Sequence, residues 1–331
     1  MGVLGAFASG GRIHSRRAVY ISCASDYFDG ALCRMFTAVD IERVLFDGGG
    51  LATTAQLLTV VSRTRLAGLI KSGKLIRVCH GVYSGHEPDT AGMLSALDLA
   101  VGQPVVACLG TAAGLYGFDT ESTYRLHVLD PGVRMRPSPG VMVHQRIGAP
   151  LRHVNGRLAT APAWTAIEIA RALRPSRALA TLDAALHTGA CTAVELTAAC
   201  REQRGRRGIV KVRKLVDYAD GRAESPMESE ARLLFIDSGL PAPELQYNIL
   251  DRHGKLWRAD FAWPDAMVVV EYDSVEWHVG RDALLHDRLK TARLQECGWT
   301  CIPMTVDDIR RDPVGLIARI NSHLTTPRMA G

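Results

Sequence analysis

An apolar strand with acids at both ends stands out in the last third of this 331-residue sequence, where the chain reads DFAWPDAMVVVEYDSVEWH. Asp260 opens the segment, Glu271 and Asp273 close it, and His278 follows after a short turn. Between the acids lies an apolar run rich in β-branched residues, which is typical of a sheet interior. Carboxylates seldom lie beside such a core unless a cation or a metal ion pairs with them. The spacing therefore points to a divalent-metal site or to structural ion pairs.

The elements around these acids follow from local signals. Ser225 is placed to cap a helix, with Pro226 at its first position and Glu228 three residues after the cap. Strands are predicted around Leu245 and Leu256, and the long apolar strand comes next. A helix, the strand TCIPMT and a final helix complete the segment. The order of helix, three strands, helix and strand fits the core of a PD-(D/E)xK nuclease.

Metal-assisted hydrolysis of a phosphodiester would explain the acids. A divalent cation lowers the pKa of water and neutralises the charge that develops on the transferred phosphate. Magnesium prefers one or two carboxylates together with water and substrate oxygens. We therefore predict that Asp260 and Glu271, held on adjacent strands, are the ligands of a Mg²⁺ or Mn²⁺ cofactor.

The segment from ESEARLL to TCIPMT resembles the very-short-patch-repair-like endonuclease family over nearly all of residues 225–312. The resemblance implies five catalytic residues, namely Glu228, Asp260, Glu271, Asp273 and His278. In that family the helix glutamate and the two strand acids form the metal site. Asp273 occupies the position where the wider superfamily keeps a lysine, and His278 is expected to serve instead. Ser274 departs from the usual glycine of this turn.

Structural roles for the same acids remain open alternatives. Glu228 lies where a capping-box residue lies, and that role needs no metal ion. Asp260 could pair with Arg258 or Arg288, and Asp273 could accept a hydrogen bond from the backbone of the turn.

Residues 51–86 form a second segment that could bind a charged ligand, because all five of its ionised side chains are basic. The pattern predicts a first helix, then a helix–turn–helix pair whose second helix starts near Ser62, and a hairpin around His80. This is the order of a winged helix, in which the second helix of the pair enters the major groove and the hairpin contacts phosphates. A solvated basic face on a small helical domain is the alternative.

Six residues are predicted to contact double-stranded DNA. In the first turn of the second helix, base contacts are expected. Farther along the helix and on the hairpin, phosphate contacts are expected. The base contacts are Arg63, Thr64 and Arg65, and the phosphate contacts are Lys71, Lys74 and Arg77.

The stretch from GLATTAQLL to GVYSG resembles the N-terminal domain of antitoxins from AbiE-type abortive-infection toxin–antitoxin pairs. The hairpin ending Gly81-Val82-Tyr83 is part of this resemblance, and GTAAGLYGF, YRLHVLDP and TAPAWTAIEIARAL resemble the family's second domain. The resemblance implies that the protein binds its own operator and neutralises a nucleotidyltransferase-like toxin.

Composition and charge place the chain among cytoplasmic proteins. It is 47% hydrophobic and 22% charged, which is typical of a soluble globular protein, and no apolar run approaches the ~20 residues of a membrane helix. Eight cysteines include no CxxC pair, so reduced thiols are expected. The net charge of +5 is uneven, since from Glu224 onward 17 acids exceed 12 basic residues.

The fold class predicted from these features is a multi-domain α/β protein. Its parts are a disordered or wrongly assigned extension, a winged helix-turn-helix domain, a mixed α/β antitoxin domain and a PD-(D/E)xK nuclease-like domain, at residues 1–34, 35–88, 89–223 and 224–331.

The middle domain shows no catalytic pattern. His127 is interpreted as a hydrogen-bonded sheet histidine rather than a base. The basic run REQRGRRGIVKVRK at residues 201–214 is either a solvated helix linker or a surface for phosphate or an acidic partner.

Two functions follow from the sequence. The favoured one is a DNA-binding antitoxin and transcriptional autoregulator with a cognate toxin partner, the nuclease-like domain being an accessory. The alternative is a metal-dependent DNA endonuclease that its winged helix directs to DNA.

Overall fold

The computed structural model describes residues 40–118, 125–145, 148–273 and 281–325. The predicted extension at 1–34 and the predicted catalytic residue His278 lie outside these residues. Among the helices described, none is both long and apolar enough to cross a membrane.

From residue 40 onward, the described part of the N-terminal region contains three helices and a three-stranded antiparallel sheet. Its elements are α1 (residues 40–47), β1 (Leu51–Thr53), α2 (Thr54–Leu57), α3 (Arg63–Lys71), β2 (Ile76–Cys79) and β3 (Val82–Ser84). The strand order is β1-β3-β2, so β3 lies between the other two strands. The predicted second helix and the hairpin are therefore present.

Local capping explains where these helices begin. Thr53 and Gln56 form a capping box at α2, and the Ser62 side chain accepts a hydrogen bond from a backbone N–H of α3. Leu66 and Leu69 anchor α3 in the core. The hairpin turns at Gly81, whose φ of 77° is in the left-handed region that favours glycine.

The middle region joins a small sheet to a group of helices. Its elements are α4 (Thr90–Val101), α5 (Leu109–Tyr116), β4 (Leu126–Leu129), β5 (Val141–His144), β6 (Leu151–Val154), β7 (Arg157–Thr160), α6 (Pro162–Ala170), α7 (Pro175–His187), α8 (Ala193–Glu202) and α9 (Ile209–Val216). The pairs are β4–β5, which is parallel, and β6–β7, which is antiparallel. Helices α6 to α9 surround one apolar cluster.

Two details of this region differ from the prediction. The β6–β7 hairpin was not predicted, although its turn is an Asn155-Gly156 pair with φ values of 50° and 75°. Asn-Gly is a strong signal for a two-residue hairpin turn because both positions need positive φ. The predicted strand at 105–108 forms only isolated bridges through Ala107, because its backbone bonds are shared between β4 and β7.

The C-terminal region is a four-stranded mixed sheet flanked by helices. Its elements are α10 (Pro226–Asp237), β8 (Glu244–Leu250), β9 (Leu256–Trp263), β10 (Val268–Tyr272), α11 (Arg281–Glu296), β11 (Thr300–Met304), α12 (Val306–Arg310) and α13 (Pro313–Leu324). The strand order is β11-β10-β9-β8, with β10 and β11 parallel and the other pairs antiparallel. The predicted order of helix, three strands, helix and strand is present.

Helix α10 belongs to the cores of both the middle and the C-terminal regions. Leu233 lies in the apolar cluster of α6 to α9, whereas Ala231 and Phe235 lie in the cluster over the C-terminal sheet. The predicted domain boundary at residues 223–224 lies just before this helix. A cut there would remove α10 from the middle region.

A buried ion pair joins α10 to α7. The Arg232 guanidinium lies 2.5 Å from the Asp183 carboxylate, and the two side chains are only 8% and 1% exposed. Arg232 also donates to the Tyr218 carbonyl, and Asp183 accepts from the backbone N–H of Asp220. Burial nevertheless raises the pKa of Asp183, by more than Arg232 lowers it.

A second buried acid on α10 binds arginines from two other helices. The Glu230 side chain is 2% exposed and lies 3.2 Å from Arg174, 3.9 Å from Arg177 and 2.6 Å from Arg310. Arg174 directly precedes α7, Arg177 is in α7, and Arg310 ends α12. This carboxylate therefore connects the two regions.

We expect Arg232→Met to lower the free energy of unfolding by about 3–5 kcal/mol, because it leaves the Asp183 carboxylate buried without its cation. The double variant Asp183→Asn/Arg232→Met should regain part of this loss, since no charge is then left unpaired. Urea denaturation of the full chain measures both effects.

The matched control is Arg222→Met, because Arg222 pairs with Asp220 at 2.7 Å but its side chain is 61% exposed. A loss of at most about 1 kcal/mol is expected there. An equal effect of the two arginine substitutions would contradict a special role for the buried pair.

Candidate functional site

Four elements bring a lysine and three carboxylates together in the C-terminal region. Glu228 is on α10, Asp260 on β9, Glu271 on β10 and Lys290 on α11. Strands β9 and β10 are antiparallel and pair Phe261 with Val270. Asp260 and Glu271 are therefore the next residues opposite each other. Lys290 acts electrostatically on both strand acids, and Asp260 acts on Glu228.

Glu271 and Lys290 form the closest ion pair of this cluster. Their charged atoms are 2.6 Å apart, and the side chains are 26% and 18% exposed. Burial raises the pKa of Glu271 to about 7, although Lys290 lowers it. The second carboxylate oxygen, Oε1, is buried and has no hydrogen-bond partner among the described residues. One oxygen of this acid therefore remains available to a cation or a proton.

Asp260 is held by the neighbouring strand. Its Oδ2 accepts a hydrogen bond of 2.8 Å from the backbone N–H of Tyr272. Burial raises its pKa, against the lowering effects of that bond and of Lys290. Arg258, one of the alternative partners, is instead 2.6 Å from Glu224.

Glu228 is committed to hydrogen bonds within the fold. Its backbone N–H donates to the Ser225 hydroxyl, and its Oε2 accepts from the backbone N–H of Glu224 at 3.1 Å and from Gln246 Nε2 at 2.9 Å. This is close to a capping box, except that the carboxylate binds the N–H before the cap. Burial raises the pKa of this acid. Its contacts match the structural alternative more directly than a metal ligand.

The other predicted residues lie differently. Asp273 is exposed at the end of β10, and its backbone N–H donates to the Met304 carbonyl. The turn from which it was expected to accept a bond lies outside the described residues. Lys290 and Gln246 were missed by the sequence analysis. The signal for Lys290 was weak, because only the packing of α11 on the sheet places it beside Glu271.

A cleft of about 490 Å³ opens beside the ion pair. It is lined by Glu271, Asp273, Arg288 and Lys290, together with Gln295. In the described ranges, no three His, Cys, Asp or Glu residues are grouped as a metal site. A magnesium ion commonly takes one or two carboxylates and several waters, so the free oxygen of Glu271 and the neighbouring Asp260 fit such an ion.

The N-terminal region presents a separate basic surface. Its six residues, predicted to contact DNA, are all exposed: Arg63, Thr64, Arg65, Lys71, Lys74 and Arg77. None of the five basic side chains in this set forms an ion pair within the part of the chain that is described. Leu66 and Leu69 pack into the core, whereas the residues that precede Leu66 in the first turn of α3 are exposed. This surface can attract polyanions through charge that is not already neutralised.

Residues 105–218 match the family model described as the AbiEi antitoxin C-terminal domain. The matched segment contains α5 to α9 and β4 to β7. It supports an antitoxin role in a toxin–antitoxin system and implies a cognate toxin partner.

The chain is also similar to two proteins from Mycobacterium tuberculosis. These are the uncharacterized protein MT2308 of strain CDC 1551 / Oshkosh and the uncharacterized protein Rv2248 of strain ATCC 25618 / H37Rv. Each is 60% identical over 271 residues, which is 82% of this chain and 100% of the relative.

We expect the raised pKa of Glu271 to make stability depend on pH. The folded state holds this proton up to about pH 7, whereas a free glutamate releases it near 4.5. The stabilisation that comes from holding this proton is therefore complete below pH 4.5 and is lost as the pH rises through about 7. Its size is about 3 kcal/mol by linkage. Glu271→Gln should remove this part of the pH dependence in urea denaturation.

The control is Asp273→Asn, at the same strand end but exposed. It should not remove the part of the pH dependence that Glu271→Gln removes. A second measurement follows the thermal midpoint with Mn²⁺. If Asp260 and Glu271 hold a cation, Mn²⁺ raises the midpoint of the wild type but not that of Asp260→Asn or Glu271→Gln. If Mn²⁺ leaves the thermal midpoint of every one of these proteins unchanged, the metal site is refuted.

Proposed function

We propose that this chain, which belongs to the same family as these two mycobacterial proteins, is the DNA-binding antitoxin of an AbiE-type toxin–antitoxin pair. The antitoxin domain match is the observation that carries the proposal. In this function the protein neutralises a nucleotidyltransferase-like toxin and represses transcription from its own operator.

Geometry supports the DNA-binding part of the proposal. Helix α3 is preceded by a short helix and followed by a hairpin, in the order of a winged helix. The side chains of Arg63 and Arg65 extend from its first turn, where base contacts of such helices usually lie. Lys74 lies between α3 and the hairpin, and Arg77 lies on β2 of the hairpin. Phosphate contacts at such positions steady the protein on the duplex.

A metal-dependent endonuclease is the second candidate function. The observation that favours it is the cluster of Asp260, Glu271 and Lys290 beside an open cleft. A bound Mg²⁺ or Mn²⁺ would activate water and neutralise charge on a phosphodiester. The chain's own residues would hold the ion through the two acids, while Lys290 would orient Glu271. In this function the basic N-terminal surface would bring DNA to the cleft.

The two groups of basic residues should respond differently to substitution. Replacing Arg63 and Arg65 by alanine should remove the preference for the operator, because base contacts carry the sequence information. Replacing Lys74 or Arg77 should weaken binding to all duplexes alike and lower the salt slope by about one per lost phosphate contact. Fluorescence anisotropy with operator and scrambled duplexes over a range of salt concentrations measures both.

Arg43→Ala is the matched control, since Arg43 is an exposed arginine of the same region that pairs with Asp47. It should leave operator binding nearly unchanged. If the wild type shows no salt-dependent binding to any duplex, the proposed DNA-binding role is wrong.

A double variant separates the two candidate functions. We expect full-length Asp260→Asn/Glu271→Gln to protect cells from the toxin encoded beside its gene as well as the wild type does, because an antitoxin role does not need these acids. Growth after toxin induction, with the level of each protein measured, is the readout. Loss of protection by a folded double variant that also no longer cleaves DNA with Mn²⁺ would favour the nuclease.

A further inference from the structure

Five of the seven basic residues in the run at 201–214 fall into two groups in the folded protein. One group is used inside the fold. Arg206 lies over the Trp164 ring, 4.7 Å from its centroid, and is 3.9 Å from Glu168. Lys211 donates to the Leu173 carbonyl. These two cations therefore hold α9 and the preceding loop against α6 and the turn after it.

The second group lines one concavity. Arg201 near the end of α8, Arg204 just after that helix and Arg213 on α9 all line a cleft of about 310 Å³. All three arginines are exposed, and none forms an ion pair with an acid in the described residues. Thr197 and Cys200 of α8 and Val216 of α9 complete the lining between these arginines.

We propose that this cleft, the arginine cleft, binds the phosphoryl group of a small phosphorylated ligand. The proposal goes beyond the antitoxin function and does not depend on it. The lining contains three guanidinium groups and the Asp217 carboxylate, which together leave a formal charge of +2. A phosphate monoester carries about −1.5 to −2 at pH 7 and offers three acceptor oxygens.

Charge and shape favour a phosphoryl group over other anions. One carboxylate is satisfied by the fork of a single arginine, whereas several forks around one concavity match the three oxygens of a phosphoryl group. A pocket of about this size is at the lower end of the range for small ligands. Because the cleft is concave, it accepts the end of a phosphate chain better than the side of a duplex.

Calorimetric titration of the full chain with inorganic pyrophosphate tests the arginine cleft. The wild type should bind it saturably. Arg201→Gln, Arg204→Gln and Arg213→Gln should each weaken binding about tenfold, since each removes a charge-assisted hydrogen bond. Arg311→Gln is the control, because Arg311 is 79% exposed and pairs with Asp307 in another region. It should leave the affinity unchanged, and far-UV circular dichroism should show all variants folded.

Four results would overturn the proposal. Pyrophosphate fails to bind saturably, or Arg311→Gln weakens it as much as the cleft variants do. Arg63→Gln alone abolishes pyrophosphate binding, which would place the anion on α3. The cleft variants lose affinity for duplex DNA or for an acidic peptide while pyrophosphate binding is unchanged, which would make the cleft a contact for a macromolecule. Operator binding and toxin protection are measured separately, so failure here does not bear on the antitoxin role.

Discussion

The buried ion pairs of α10 are the constraint on which the arrangement of this protein depends. Arg232 on this helix neutralises Asp183 of α7, whose side chain is almost completely buried. Glu230, two residues earlier, is surrounded by arginines of α7 and α12 and by the one that precedes α7. Pairs of this kind cost desolvation energy when they form, and removing one partner is far more costly than the net strength of the pair. The middle and C-terminal regions therefore share one helix, whose side chains pack into both apolar clusters.

The same helix links the carboxylate cluster to this interface. Glu228 lies one turn before Arg232, and its carboxylate binds Gln246 on the first strand of the C-terminal sheet. An acid that sequence patterns assign to chemistry is thus tied to the element that joins the two regions. If the cluster binds a cation, the helix that carries Glu228 is the one that contacts the antitoxin domain. The carboxylate cluster and the interface between the two regions would then share one helix.

Electrostatic balance distinguishes the three acids of the cluster from one another. Glu271 has a cation at 2.6 Å and a free oxygen, Asp260 has a backbone donor, and Glu228 has two donors. Burial raises the pKa of all three acids. Such raised values are common at catalytic sites but also arise from structural burial alone. The free oxygen of Glu271 is the feature that a purely structural role does not explain.

Local patterns in the sequence determined much of this molecule. Caps, glycines and β-branched runs predicted the positions of α3, α10 and β10 because those signals act within a few residues. The cap at Ser62 also placed Arg63 in the first turn of α3, where its side chain is exposed. Tertiary structure alone decided the partners: Lys290 meets Glu271 across 19 residues, and Arg232 meets Asp183 across 49. It also divided the basic run into structural cations and the arginine cleft. Charge and periodicity are local properties, whereas ion pairing depends on which helix packs against which.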